Sequence, residues 1–194
     1  MEINKNNYWV AMFSQTGSEI ALISDAIGRW PDLIVTNKQS LEDVNVDLMN
    51  TCGDKILQLP KWPKYVDYLK IADQLGYSIL NEKWRDESIV TLHGYLRILP
   101  EEFCDKSRVY NGHPGLITEY PELKGFNPQE KVWKGYHQYD DVGCVIHEVI
   151  PELDSGDVIA VAKSENTFDN LSELTLKLHD MSVKLWIDFL KEKI

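Results

Sequence analysis

A chain of 194 residues, 43% of them hydrophobic, can bury a core of its own, which excludes a small scaffold that depends on metals or disulfides. With 31 Asp and Glu against 20 Lys and Arg, its formal net charge of -11 repels phosphate backbones and anionic lipid, so a general nucleic-acid or membrane-surface role is not expected. The apolar runs are short strand-like pieces such as Ile89 to Leu92 and Val145 to Ile150, far short of the roughly 20 residues of a membrane-spanning helix.

The start, Met1-Glu2-Ile3-Asn4-Lys5, has no basic segment followed by an apolar one, so no secretory leader is read there and a cytoplasmic location is expected. Cys52, Cys104 and Cys144 are odd in number and widely spaced, which points to reduced, structural thiols rather than a disulfide or zinc framework.

Tyr8 to Phe13 is a continuous apolar run that stops at the polar turn Ser14-Gln15-Thr16-Gly17-Ser18-Glu19, as expected of a buried strand leading into a helix. Ile20, Ile23 and Ile27 then keep helical spacing up to Gly28, and Asp32 to Thr36 reads as a second strand, completing a βαβ unit. Lys55 to Leu59 is a third strand, and the spacing of Val66, Leu69 and Ala72 predicts a helix over 64–75 with those residues facing inward. Ser88 to Leu92 is a further strand, and Val142 to Val149 and Val158 to Ala162 form two more, joined by the turn Asp154-Ser155-Gly156.

The last helix is the clearest element. Leu171, Leu174, Leu178, Met181, Leu185 and Phe189 line one face, behind an Asn170-x-x-Glu173 capping box. With no repeat, low-complexity tract or linker, residues 1–194 read as one α/β domain, a Rossmann-like, mostly parallel sheet flanked by helices.

The densest cluster of chemically capable groups is Tyr110-Asn111-Gly112-His113-Pro114-Gly115, read as a loop after an apolar piece ending at Val109. Asn111 and His113 lie two apart, so in extended backbone both project to one face, where an amide and an imidazole suit oxyanion stabilisation and proton transfer. The same residues also make an ordinary turn. A second cluster, Glu148 to Asp157, carries Glu152, Asp154 and Asp157; a carboxylate there could hold a nearby imidazole protonated, or be a solvated hairpin turn.

In order and at these separations, the clusters resemble the folate-dependent formyltransferases, most closely the glycinamide ribonucleotide formyltransferase branch. Phe13 to Glu19 stands where that family has a Gly-Ser phosphate loop, and Leu92-His93-Gly94-Tyr95-Leu96-Arg97-Ile98-Leu99 is similar to its pterin-cradling loop. Asn111-x-His113-Pro114 followed by Tyr120-Pro121 is similar to the catalytic loop, and Glu152-Leu153-Asp154-Ser155-Gly156 to the Leu-Asp-Gly-Gly turn.

The resemblance implies a formyl transferase of one-carbon metabolism, with 10-formyltetrahydrofolate as donor, a small-molecule amine as acceptor and no metal. It makes Asn111, protonated His113 and Asp154 the catalytic trio. The pterin falls to the backbone of Arg97, Ile98 and Leu99 and of Val149, Ile150 and Pro151. The acceptor falls to Gly17, Ser18, Glu19, Pro114 and Lys124. His93, His137, His147 and His179 are expected to be structural, with His147 near enough to support the trio.

Three departures bear on the acceptor. Glu19 puts an anion at a helix start where the family binds phosphate, and the Thr16-x-x-Glu19 spacing lets its carboxylate turn back to the Thr16 amide. The stretch 122–131 replaces a short link with a Lys-bearing one, and Gly115 replaces a common Ser, which should open room beside the trio. Purine biosynthesis with glycinamide ribonucleotide as acceptor, an amino sugar on a nucleotide, hydrolysis of the folate donor, and a noncatalytic folate or nucleotide module therefore all stay open. The initiator-tRNA reaction is not expected, for want of an additional tRNA-binding domain and because of the acidic charge.

Overall fold

The computed structural model describes residues 7–194. The segment Met1 to Lys5, read above for a leader, lies outside the described residues. Seven strands form one sheet: β1 (Tyr8–Phe13), β2 (Leu33–Thr36), β3 (Ile56–Gln58), β4 (Ser88–Leu92), β5 (Val109–His113), β6 (Asp141–Glu148) and β7 (Val158–Glu165). Their order is β3-β2-β1-β4-β5-β6-β7, with the first five parallel and β6 and β7 antiparallel to their neighbours.

Parallel strands are covered on both faces, which explains why β1, β2 and β4 read as unbroken apolar runs rather than alternating ones. Chain order reverses between β1 and β4, and crevices that take ligands form at the carboxyl ends of strands around such a reversal.

One face carries α3 (Tyr65–Gln74), α4 (Glu82–Glu87) and α5 (Glu101–Lys106), whose Tyr68, Ile71, Trp84 and Phe103 pack on Val10, Met12 and Val90. The other carries α1 (Ser18–Ile27), α2 (Val46–Cys52) and α7 (Leu171–Lys193), which bury Ile20, Ile23, Leu48, Trp186 and Phe189 against Trp9, Ala11 and Phe13. A third cluster joins β6 and the first half of α7 to Leu116, Ile117, Leu123, Val132 and Tyr139. Residues 116–139 are thus not an open loop; they hold two short turns of helix and α6 (Pro128–Lys134), pinned by their own apolar anchors.

Two expectations change on packing. Val66 is 62% exposed, and α3 instead turns Tyr68 and Ile71 inward beside Ala72. Tyr68 decides that rotation by reaching the hydroxyl of Tyr95 at 3.1 Å inside the core. In α7, Leu174, Leu178 and Phe189 are buried as expected, together with Trp186 and Leu190. Asn170 accepts from the Glu173 amide at 2.9 Å, but the Glu173 carboxylate accepts from Asp169, one residue before the cap. Among the described residues no helix is long and apolar enough to cross a membrane.

Candidate active site

β5 runs through Asn111 and His113 instead of ending before them, because its backbone is bonded on both sides, to β4 at Leu92 and to β6 up to Val145. Extended backbone puts both side chains on the face opposite Tyr110 and Gly112. Gly112 is required by close approach, since a Cβ there would lie 2.5 Å from Nε1 of Trp186 on α7. In the antiparallel register Asn111 stands directly across from His147, the pairing that brings side chains closest.

Asp154 comes back to this spot from the β6–β7 connection. It takes a left-handed backbone, φ 47°, and Gly156 lets the turn fold against β6, since a Cβ there would sit 2.0 Å from the carbonyl of Glu148. Asp154 Oδ2 lies 3.4 Å from His113 Nδ1, and Oδ1 lies 3.4 Å from His147 Nε2 and 3.5 Å from Asn111 Nδ2. Asn111 Nδ2 is 3.1 Å from His147 Nε2, whose ring is oriented by donation from Nδ1 to the Glu148 carbonyl at 2.7 Å. Asn111, His113 and Asp154 therefore converge, and His147 is a fourth member that turns the carboxylate and the amide toward each other.

The chain covers this cluster with its own residues 123–125. His113 Nε2 donates to the Leu123 carbonyl at 2.9 Å, the Gly125 amide donates to Asp154 Oδ2 at 2.8 Å, and Lys124 Nζ donates to Ser155 Oγ at 2.9 Å. His113 is only 5% exposed as a result. Burial pushes its pKa below the usual histidine value, against the opposing pull of Asp154. The protonated ring implied by the resemblance is thus not the form this covered state favours. One proton sits on Nε2, and Nδ1 faces the carboxylate. For Asp154 burial acts upward, but the His147 bond and the Gly125 amide are among the contacts that hold it below the usual carboxylate range.

Gly115 does not open room beside the trio. A Cβ there would meet Leu123 Cβ at 3.2 Å and the His113 ring at 3.3 Å, so the vacated volume is already filled. The two segments expected around the pterin line different clefts. Val149, Ile150 and Pro151 line a cleft of about 190 Å³ with Cys104, Arg108, Val109 and Tyr110. Arg97 opens onto a different cleft, Ile98 is 72% exposed, and Leu99 is buried in the cluster that also holds Phe103, Val109 and Val149.

At the acceptor end, Gly17 caps α1 in a left-handed conformation with no side-chain capping bond. Glu19 does not return to Thr16. Its carboxylate takes His93 Nδ1 at 2.8 Å and the Ser182 hydroxyl of α7 at 2.6 Å. Burial raises its pKa, yet the bond and charge of His93 and the Ser182 bond outweigh this and keep it below the ordinary glutamate value. The anion expected to face an incoming phosphate is therefore turned inward. Ser18 pairs with Thr16, and Pro114 lies partly buried beside His113.

A family profile described as formyl transferase matches residues 31–190. Phosphoribosylglycinamide formyltransferase of Dictyostelium discoideum is 22% identical over 197 aligned residues that cover 93% of this chain and 94% of that protein. Methionyl-tRNA formyltransferase of Sulfurihydrogenibium sp. (strain YO3AOP1) is 38% identical over 98 residues, 49% of this chain but only 28% of that protein. Among solved structures, phosphoribosylglycinamide formyltransferase from Anaplasma phagocytophilum superposes with a TM-score of 0.75 at 22% identity, covering 96% of this chain and 86% of that one. Glycinamide ribonucleotide transformylase 1 from Symbiobacterium toebii superposes with a TM-score of 0.76 at 17% identity, covering 99% and 92%. A profile match over most of the chain, on a fold that those structures share, establishes that this chain belongs to the formyl transferase family.

Proposed function

We propose that this formyl transferase moves the formyl group of 10-formyltetrahydrofolate to a primary amine of a small acceptor, with Asn111, His113 and Asp154 as the catalytic residues. One observation carries the assignment of roles: an amide, an imidazole and a carboxylate meet within 3.1 to 3.5 Å around His147 at the carboxyl end of β5. The amine nitrogen attacks the formyl carbon, and the carbonyl oxygen becomes an alkoxide. The Asn111 amide and His113 donate to that oxygen, each donor contributing about 3 to 4 kcal/mol where water is excluded. The bond from carbon to the folate nitrogen then breaks, and Asp154, through a water, relays the proton from the attacking amine to that leaving nitrogen.

The covering segment bears directly on this reaction. Leu123 O occupies the position on His113 Nε2 that the formyl oxygen needs, and the Gly125 amide occupies Asp154 Oδ2. When the donor displaces residues 123–125, the burial that lowers the His113 pKa is relieved while the Asp154 attraction stays, so the ring gains its second proton as substrate arrives. The pterin falls to the backbone of residues 97–99 and 149–151, two segments tied to one apolar cluster through Leu99 and Val149.

The test is release of tetrahydrofolate from 10-formyltetrahydrofolate with a panel of primary amines that includes glycinamide ribonucleotide and amino sugars on nucleotides. Acceleration by one amine, abolished in His113→Ala, is expected. Equal release with water alone would replace transfer by hydrolysis, and release unchanged in His113→Ala would overturn the assignment of the trio.

A further inference from the structure

We infer a binding cleft for a nucleoside diphosphate beside residues 96–97 of the expected pterin loop. The loops that follow β1, β2, β3 and β4 border an open cleft of about 550 Å³, lined by Ser14, Asn37, Gln39, Lys61 and Arg97 among others. That volume falls in the range of small-ligand and cofactor sites, and its place beside the reversal of strand order is where sheets of this kind hold ligands.

The floor is built, not incidental. Asn37, 4% exposed, accepts from the Ser14 hydroxyl at 2.6 Å and donates to the Lys61 carbonyl at 3.2 Å. Ser14 in turn accepts from the Leu96 amide at 2.8 Å, and Gln39 donates to the Asn37 carbonyl at 3.1 Å. Four loops from distant parts of the chain are thereby bolted together, so little ordering remains for a ligand to impose.

The chemistry of the walls selects the ligand. Lys38 is committed to Asp43 at 2.8 Å, which leaves Lys61 and Arg97 against the single carboxylate of Glu42, a local positive excess on a chain of net charge -11. At the rim Trp62 is 70% exposed, and the Arg97 guanidinium lies 4.2 Å from its ring centroid, anchored by donation from Nε to the Lys61 carbonyl at 3.0 Å. The exposed indole beside the anchored guanidinium offers a flat surface on which a nucleobase stacks, and the Lys61 ammonium suits the phosphates. Leu96 and Arg97 belong both to this cleft and to the expected pterin loop, so a bound nucleotide lies next to that loop.

The protein, without folate, is titrated with ADP and with UDP, following heat and tryptophan emission, beside uridine and inorganic pyrophosphate. Saturable binding of at least one nucleotide is expected, weakened at least about tenfold in Trp62→Ala, while Lys61→Ala weakens the nucleotide but not uridine. Melting curves confirm that both variants fold. No saturable binding of either nucleotide, or equal binding by wild type and both variants, overturns the site. Pyrophosphate binding as tightly as UDP also overturns it, by reducing it to an anion site. If nucleotides bind but no amine is formylated, the cleft stands and the reading of the catalytic cluster falls. Formyl transfer without nucleotide binding gives the reverse.

Discussion

Among the described residues, a half-buried carboxylate and a buried one, Glu19 and Asp154, each meet an imidazole, in opposite settings. Glu19 sits on α1, with both oxygens taken at 2.8 and 2.6 Å by His93 and by Ser182 of α7, and the His93 ring packs at 4.7 Å on Trp186. Asp154 sits in a strained turn, 3.4 Å from each of two imidazoles, and its remaining partner is a backbone amide of the covering segment. The first pair is short, saturated and closed between α1, β4 and α7, so it holds elements together. The second is longer, less saturated and bordered by residues 123–125, and under the proposed function its groups are the ones handed to a substrate. Bond length and the nature of the third partner distinguish the two sites better than residue type does.

The contrast breaks most sharply under mutation. His113→Ala should lower kcat for formyl transfer by about 10² to 10³-fold, the usual cost of one oxyanion donor, with little change in melting temperature. His93→Phe should do the reverse. It leaves Glu19 buried without its imidazole and should cost about 3 kcal/mol in a denaturant titration, with kcat within several-fold of wild type. Parallel losses of activity in both variants would erase the distinction.

Glu19→Asn sharpens the same point at the acceptor end. With the carboxylate turned inward, the substitution should lower stability by roughly 2 to 3 kcal/mol and leave glycinamide ribonucleotide binding unchanged. A marked gain in that affinity, read by calorimetry, would mean that the charge does face the phosphate.

These two regions also differ in how far the sequence discloses them. The buried strands β1, β2 and β4 and the long α7 carry unbroken or periodic apolar patterns, and both patterns appear in the fold. Helices α2, α4, α5 and α6 have only six or seven residues, too few to display a period. In α3 apolar residues at 65, 66, 68, 69, 71 and 72 offer overlapping stripes, and only the Tyr68 to Tyr95 contact chooses between them.

Asn111-Gly112-His113 looks like a turn because its side chains are turn formers. Its strand conformation is imposed by hydrogen bonding to two neighbouring strands. Only the family resemblance joins Asn111, His113 and Asp154 ahead of the fold, while the place of His147 on the strand before the Asp154 turn puts it near them. That Glu19 turns to His93 and Ser182, and that Leu123 covers His113, depend on contacts between residues far apart in the chain, which spacing does not encode.

A smaller effect is expected at Gly115. In Gly115→Ser the added atoms press on Leu123 and the His113 ring, an overpacking that costs about 1 to 2 kcal/mol and is relieved by loosening the cover. Amide hydrogen exchange at residues 123–125 should quicken while β5 stays protected. Unchanged exchange would show that the segment is held by the anchors of its own apolar cluster rather than by its fit to His113.

The smallest expected effect is in the pH dependence of stability, and its sign follows from the same two regions. The His113 pKa in the folded protein lies below its ordinary 6.5, because burial outweighs the Asp154 attraction. Between those values the unfolded chain binds more protons, so unfolding free energy rises with pH; this contribution is complete above about pH 6.5 and fades as pH falls through the folded value. Asp154 and Glu19 are also depressed, from 3.8 and 4.5, so their contributions are complete above those values and fade only at lower pH. Stability should therefore fall in two stages on acidification. His113→Gln should remove the upper stage and spare the lower. A wild-type profile flat from pH 7 to 5 would show that protonating His113 costs this fold nothing, and that residues 123–125 are no barrier to charging the ring.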